Sequence, residues 1–230
     1  LQQTPPKVDR VPHIPMLKEN NVRKGFFEHG DFIALREALP SYLKGFVTFA
    51  YKTGWRVSEI RDLKWAQVDL ENNIVRLESG ETKNNEGRTV YLDEELKAVF
   101  LNQKARQKEL GKISRCVFMN ESGTDRIKDF RGAWANACTA AKINGKLFHD
   151  FRRTAVRNMV RAGIPERVAM MISGHKTRSV FERYNVVSET DLKIAAQKQE
   201  AYLKTQMGTN AGTVKQIPIE ANKIPLKNIQ

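Results

Sequence analysis

The chain of 230 residues carries 39 Lys and Arg against 26 Asp and Glu, a net charge of +13 and a sequence pI of about 9.8. That excess of cations is the footprint of a polyanion partner, with nucleic acid the leading candidate. No stretch has the apolar length of a membrane span, and the opening LQQTPPKVDRVPHIP lacks the apolar core of a signal peptide, which points to a cytoplasmic, DNA-associated protein with no membrane partner.

In chain order, residues 1–29 hold Pro5, Pro6, Pro12 and Pro15 with little periodicity and predict an extended linker, as if from a preceding domain. Regular structure is expected from Gly30, with Asp31 capping FIALREAL and Ser41 capping YLKGFVTFAYKTG until Gly54 stops the helix. The alternating, branched segments NNIVRLES and RTVYL flank the polar turn ETKNNEG, which predicts a hairpin with Lys83 at its tip. A helix from Asp93 to about Leu110 and a short CVFM strand follow. Helical patterns then cover 126–143, 149–162, 165–172 and 177–185. A last helix spans 188 to about 206, and the polar tail beyond Gly208 is expected to be poorly ordered by itself. The sum is a mainly α chain with a small antiparallel β-sheet. Cys116 and Cys138 have no Cys or His beside them at metal-ligand spacing, so both read as core thiols, with neither a metal nor a cofactor expected.

Four separated segments hold side chains suited to a phosphodiester. In TGWRVSEI, Arg56 begins a helical turn after Gly54 and Glu59 stands three residues on, placed to face it. In KLFHDFRRTAVRNMV, His149 and Arg152 share one helix face beside the inward Phe151, Ala155, Val156 and Met159. In ISGHKTRSVFERYNV, His175 occupies a tight turn and Tyr184 follows nine positions later on the next helix. Singly, each has an ordinary structural explanation: a surface ion pair, a helix cap, a packing tyrosine, a solvated loop lysine.

Together, TGWRVSE, ETK, HDFRRT, SGH and ERY resemble the ordered signature of the tyrosine recombinase (phage integrase) family, TGxRxSE, TK, HxLR[RHK]T, [LS]GH and RY. Phe151 stands where that family usually has Leu, Ser173 where Leu precedes GH, and Asn185 and Val186 where a His is frequent. The resemblance implies the catalytic-domain fold of DNA breaking-rejoining enzymes over residues 30–187, with 188–230 as a C-terminal helix and tail that docks on a neighbouring subunit or folds back on its own domain.

It further implies a site-specific DNA recombinase that cleaves and rejoins double-stranded DNA through a 3′-phosphotyrosyl intermediate, monomeric when free and tetrameric on paired sites. Tyr184 would be the nucleophile and Lys83 the general acid. Arg56, Arg152 and His175 would donate to the phosphate, and His149 would act as base. Glu59 would orient Arg56 and His149, and Arg153, Arg157, Lys176 and Arg178 would contact further phosphates. Two alternatives remain open at this point: a type IB topoisomerase-like activity, and a catalytically silent DNA-binding module of the same fold. The target DNA site and the element served are not legible in the residues.

Overall fold

The computed structural model describes residues 25–78, 87–182, 184 and 189–210, with side chains omitted at 190 and 207–210. Lys83, the hairpin tip around it, the segment before Gly25 and the tail after Asn210 lie outside these residues.

Helix α1 (His29–Ala38) is capped three residues earlier than expected: Glu28 is the N-cap and Asp31 closes the capping box from the third position. Helix α2 (Ser41–Thr53) begins directly after Pro40, so Ser41 is its first residue rather than its cap. Its apolar residues are nearly all buried because α1, a later helix α4 (Glu94–Glu109) and α6 (Asp150–Arg161) pack around it. Gly54 ends α2 in the left-handed region, φ 68°, with its amide donating to Ala50. Short α3 (Val57–Arg61) follows, then a single 3-10 turn at Trp65–Gln67.

The sheet has three antiparallel strands in sequential order: β1 (Val68–Asp69), β2 (Ile74–Leu77) and β3 (Arg88–Tyr91). Val75 pairs with Val90 and Leu77 with Arg88, so the inward register of β3 holds Val90 and, one pleat away, Arg88. Asp93 caps α4 through Leu96, as the sequence predicts.

The CVFM run forms two single bridges, Lys64 to Cys116 and Met119 to Arg126, in place of a strand. Val117, Phe118 and Met119 are all buried, so the run is held on both sides by the core and does not alternate. Helix α5 (Arg131–Ala140) is shorter than the 126–143 pattern. Asp129 takes up the Arg131 amide at its start, and Lys142 with φ 57° turns the chain away at its end.

Helices α6, α7 (Glu166–Ser173) and α8 (Arg178–Glu182) complete the domain, with Gly174 ending α7 at φ 69°. The main core is aromatic: Phe27, Phe46, Phe49, Phe100, Phe118 and Phe151 are fully buried, each contributing about 1.5–3 kcal/mol of transfer free energy. A smaller cluster of Ala155, Val156, Met159, Ala169 and Phe181 joins α6, α7 and α8.

Within the stretch expected as linker, Phe27 belongs to this core. The Phe27 amide donates to Thr154 Oγ1 at 2.9 Å and Lys146 donates to the Phe26 carbonyl. Helix α9 (Glu189–Asn210) is a separate element carrying exposed Leu192, Ile194, Tyr202 and Leu203. Among the described residues, no helix is long and apolar enough to cross a membrane.

Candidate active site

Two glycine turns and one helix start create the site. At the first turn, a Cβ on Gly54 would lie 3.0 Å from Ala155 Cβ, so the end of α2 rests directly on α6. The chain then leaves Trp55 buried, with Nε1 donating to the Ile172 carbonyl at 2.9 Å. Arg56 caps α3, and Glu59 reaches back to accept from the Arg56 amide and guanidinium, both at 2.9 Å. The predicted Arg56 and Glu59 pair is therefore present.

A second guanidinium, which the motif reading missed, completes it. Arg88 of β3 forks onto both oxygens of Glu59 at 3.0 and 2.9 Å, and its Cζ lies 5.5 Å from the Trp55 ring centroid. Both carboxylate oxygens are thus engaged by the two arginines, so Glu59 orients Arg56 and Arg88 rather than His149. Burial pushes the Glu59 carboxyl up, but Arg88 and then Arg56 outweigh it and hold it below its ordinary value. A sequence signal for Arg88 existed: a charged residue two before Val90 in an alternating strand must face the same side as Val90.

Helix α6 presents His149 and Arg152 from its first turn, as their spacing predicts. Arg152 is 3% exposed, and its guanidinium donates to the carbonyls of Gly54 at 2.7 Å, Gly174 at 3.2 Å and Ser173. One side chain thus joins both glycine turns. Burial first, then Arg56, lowers the Arg152 pKa to about 10, which leaves it cationic at neutral pH.

The second turn carries His175, whose backbone amide donates to Met170 at 3.0 Å. Its imidazole is 6% exposed, with its centroid 4.8 Å from that of Tyr184. Burial and the charges of Arg152, Arg56 and Arg88 push it down to about 3, so the ring is neutral.

Tyr184 stands just past the end of α8, not within it, with its amide donating to Phe181 at 2.8 Å. The phenol oxygen lies 3.2 Å from His149 Nε2, and Arg153 places its Cζ 5.6 Å from the ring centroid. Burial, Arg152 and Arg153 lower the pKa of His149, so its neutral ring can accept a proton. The structure therefore brings Arg56, Glu59, His149, Arg152, His175 and Tyr184 into one connected cluster, while Lys83 falls outside the described residues.

The four expected phosphate contacts divide. Arg153 lies against the tyrosine. Lys176 and Arg178 line a cleft of about 910 Å³ with Arg88, Arg167, Gly174 and His175, and exposed Arg178 is paired with Glu182 and Glu166. Arg157 is a correction. It is 7% exposed and donates to Glu28 at 2.6 Å and to the Phe27 carbonyl at 2.8 Å, and its Cζ stacks 4.8 Å from the Phe26 ring centroid. Its charge is spent on the N-terminal segment, which the helix spacing alone could not reveal.

These features define a class: helical domains that set a tyrosine against two imidazoles, its hydroxyl on one and its ring on the other, backed by buried guanidiniums. The chain belongs to the phage integrase family, whose profile matches residues 28–190. It is similar to the integrase of Salmonella phage P22, 27% identical over 212 residues, which are 87% of this chain and 53% of that protein. The chain thus spans about half the length of that curated relative.

Among solved structures, XerA recombinase superposes with a TM-score of 0.65 at 21% identity, over 76% of this chain and 65% of that one. The Tn1549 transposon integrase, solved in complex with a circular intermediate DNA, gives a TM-score of 0.65 at 15% identity, over 80% and 68%. Both share the mainly helical fold with its small antiparallel sheet.

Proposed function

We propose that this chain is the catalytic portion of a site-specific DNA recombinase that cleaves and rejoins double-stranded DNA through a 3′-phosphotyrosyl link at Tyr184. The carrying observation is the 3.2 Å approach of His149 Nε2 to the Tyr184 hydroxyl, within a cluster holding Arg56 and Arg152. Family membership and the DNA-bound state of the Tn1549 integrase support the same reading.

A phosphodiester resists attack because its non-bridging oxygens are negative and gain charge in the transition state. Fixed guanidiniums offset that charge at any physiological pH. Arg56 is 28% exposed in its side chain and is held by Glu59, so its remaining donors can meet phosphate without rearrangement. Arg152 presents charge from behind, with its donors turned to the carbonyls of the two glycine turns.

As Tyr184 attacks phosphorus, its proton passes to His149 Nε2; a protonated Lys83 gives a proton to the departing 5′-oxygen. The phosphotyrosyl link keeps the bond energy, so a 5′-hydroxyl from another strand reverses the step. A tetramer on two paired sites, and a cytoplasmic location on DNA, follow from the same reading. Integration or excision of a mobile element is the use it supports best.

The test is a nicked duplex carrying a site selected from a random pool. Covalent attachment is expected, and Tyr184→Phe should abolish it while leaving DNA affinity nearly intact. Relaxation of plasmid lacking the site would favour a topoisomerase, and a gel shift without any covalent species would favour a silent binding module.

A further inference from the structure

Ser173 and His175 form a chain of hydrogen bonds whose direction can be worked out. Ser173 Oγ lies 2.6 Å from the Ala169 carbonyl oxygen, which carries no hydrogen, so the single hydroxyl proton of Ser173 is committed there. The same Oγ lies 2.8 Å from His175 Nδ1 and can only accept at that contact. Nδ1 therefore bears the ring proton, and in a neutral ring Nε2 bears the lone pair. His175 Nε2 is buried and has no hydrogen-bond partner among the described residues. A buried, unsatisfied acceptor is costly, and a helix end gains nothing from keeping one.

We infer that Ser173 is a positioning residue that fixes the tautomer of His175, so that its Nε2 meets the incoming phosphodiester as an acceptor and must take up a proton to bind it. This rests on the recombinase reading for its ligand, but the tautomer itself is a property of the free protein. A non-bridging phosphate oxygen can only accept, so a lone pair facing it repels. Contact requires one proton from solvent to join Nε2, giving an imidazolium that donates from both nitrogens: Nδ1 to Ser173 and Nε2 to phosphate. The proton returns to solvent when the phosphate leaves, and no net charge is consumed.

The groups around the ring make this a switch that responds to phosphate. Arg152 and His149 face it from α6, Arg56 from the start of α3, Arg88 from β3, and Tyr184 from beyond α8. Burial and then the cations among them oppose protonation while the site is empty, and the anionic phosphodiester, once bound, reverses the balance. His175 thus stays neutral until an anion arrives. A serine at 173 performs this where an apolar residue before Gly174 would leave Nδ1 without its acceptor.

Nitrogen NMR of the whole chain labelled at histidine tests the inference without any DNA. At neutral pH, Nδ1 of His175 is expected as the protonated, pyrrole-type nitrogen and Nε2 as the bare, pyridine-type one. The opposite assignment, or a doubly protonated ring in the free protein, would overturn it. Ser173→Ala should mix the two tautomers and lower covalent attachment on the order of ten-fold, the scale of one hydrogen bond. DNA affinity away from the scissile phosphate should be retained. Ser173→Thr, which keeps the hydroxyl, should restore the wild-type tautomer and most of the attachment.

An Ala variant with unchanged nitrogen shifts and unchanged attachment would also refute it. Loss of attachment in Tyr184→Phe would meanwhile leave the recombinase reading standing, so the two failures are separable.

Discussion

Arg88 grips Glu59 in a two-pronged ion pair, with oxygen distances of 2.9 and 3.0 Å and both side chains about 95% buried. The same guanidinium lies against the turn that carries His175, since a Cβ on Gly174 would fall 2.1 Å from Arg88 Cζ. The base of the hairpin is in this way fastened to both halves of the candidate site.

Arg88→Lys keeps the charge and loses the fork, so Glu59 and Arg56 should lose their fixed geometry. Covalent attachment is expected to fall by about 10²–10³, the range for loss of one preorganised contact, while DNA affinity changes only a few-fold. Arg88→Ala also leaves a buried carboxylate with one partner fewer, and denaturant titration should show a loss of about 2–3 kcal/mol. Unchanged attachment in the Lys variant would contradict the orienting role of Arg88.

His149 accepts the tyrosine proton only when neutral, and its pKa lies below the ordinary 6.5. Attachment should therefore hold as pH falls to about 6.5 and decline further down, as the ring is protonated. His149→Gln cannot titrate, so its residual rate should lack that acidic limb. Single-turnover rates across pH would decide.

The two depressed histidines also bear on stability. Each binds a proton less readily folded than unfolded, so the unfolded chain holds more protons between the ordinary value near 6.5 and the folded ones, about 3 for His175. Their contribution is complete above pH 6.5 and is lost as pH falls through that window. Urea midpoints should drop on acidification, and His175→Asn should flatten the slope.

Arg157 and Arg153 differ in what they touch, and salt titration should separate them. Arg157→Ala removes a buried bond to the Phe27 carbonyl and a partly exposed pairing with Glu28, so stability should fall by about 1–3 kcal/mol while the salt dependence of DNA binding stays unchanged. Arg153→Ala should reduce the salt slope by roughly one phosphate contact and barely alter stability.

Gly54→Ala places a side chain at φ 68° and 3.0 Å from Ala155 Cβ. A cost of about 1–2 kcal/mol from backbone handedness alone is expected, with more from displacement of α6. Attachment should fall further than stability accounts for, because Arg152 reads the position of the Gly54 carbonyl.

Local spacing made the pairs Arg56 with Glu59 and His149 with Arg152 legible, since each is a property of one helical turn. Gly54 and Gly174 were legible as stops for the same reason. Arg88 was not, because a strand pattern shows which side a residue faces but not which carboxylate waits there. The partners of Arg157 were not legible either, because its spacing on the helix does not show that Phe27 and Glu28 lie across it. The bond from Ser173 to His175 was not legible, since that partner two residues on is reached only through the geometry of the turn.

The strip of backbone from Gly25 to Glu28 is pinned on or beside α6 at several points, through Thr154, Arg157 and Lys146. The first turn of that same helix holds His149 and Arg152, between Lys146 and Thr154. A shift of the strip is therefore felt on the turns that set the distance from His149 to the phenol. Anchorage and chemistry share one stretch of helix.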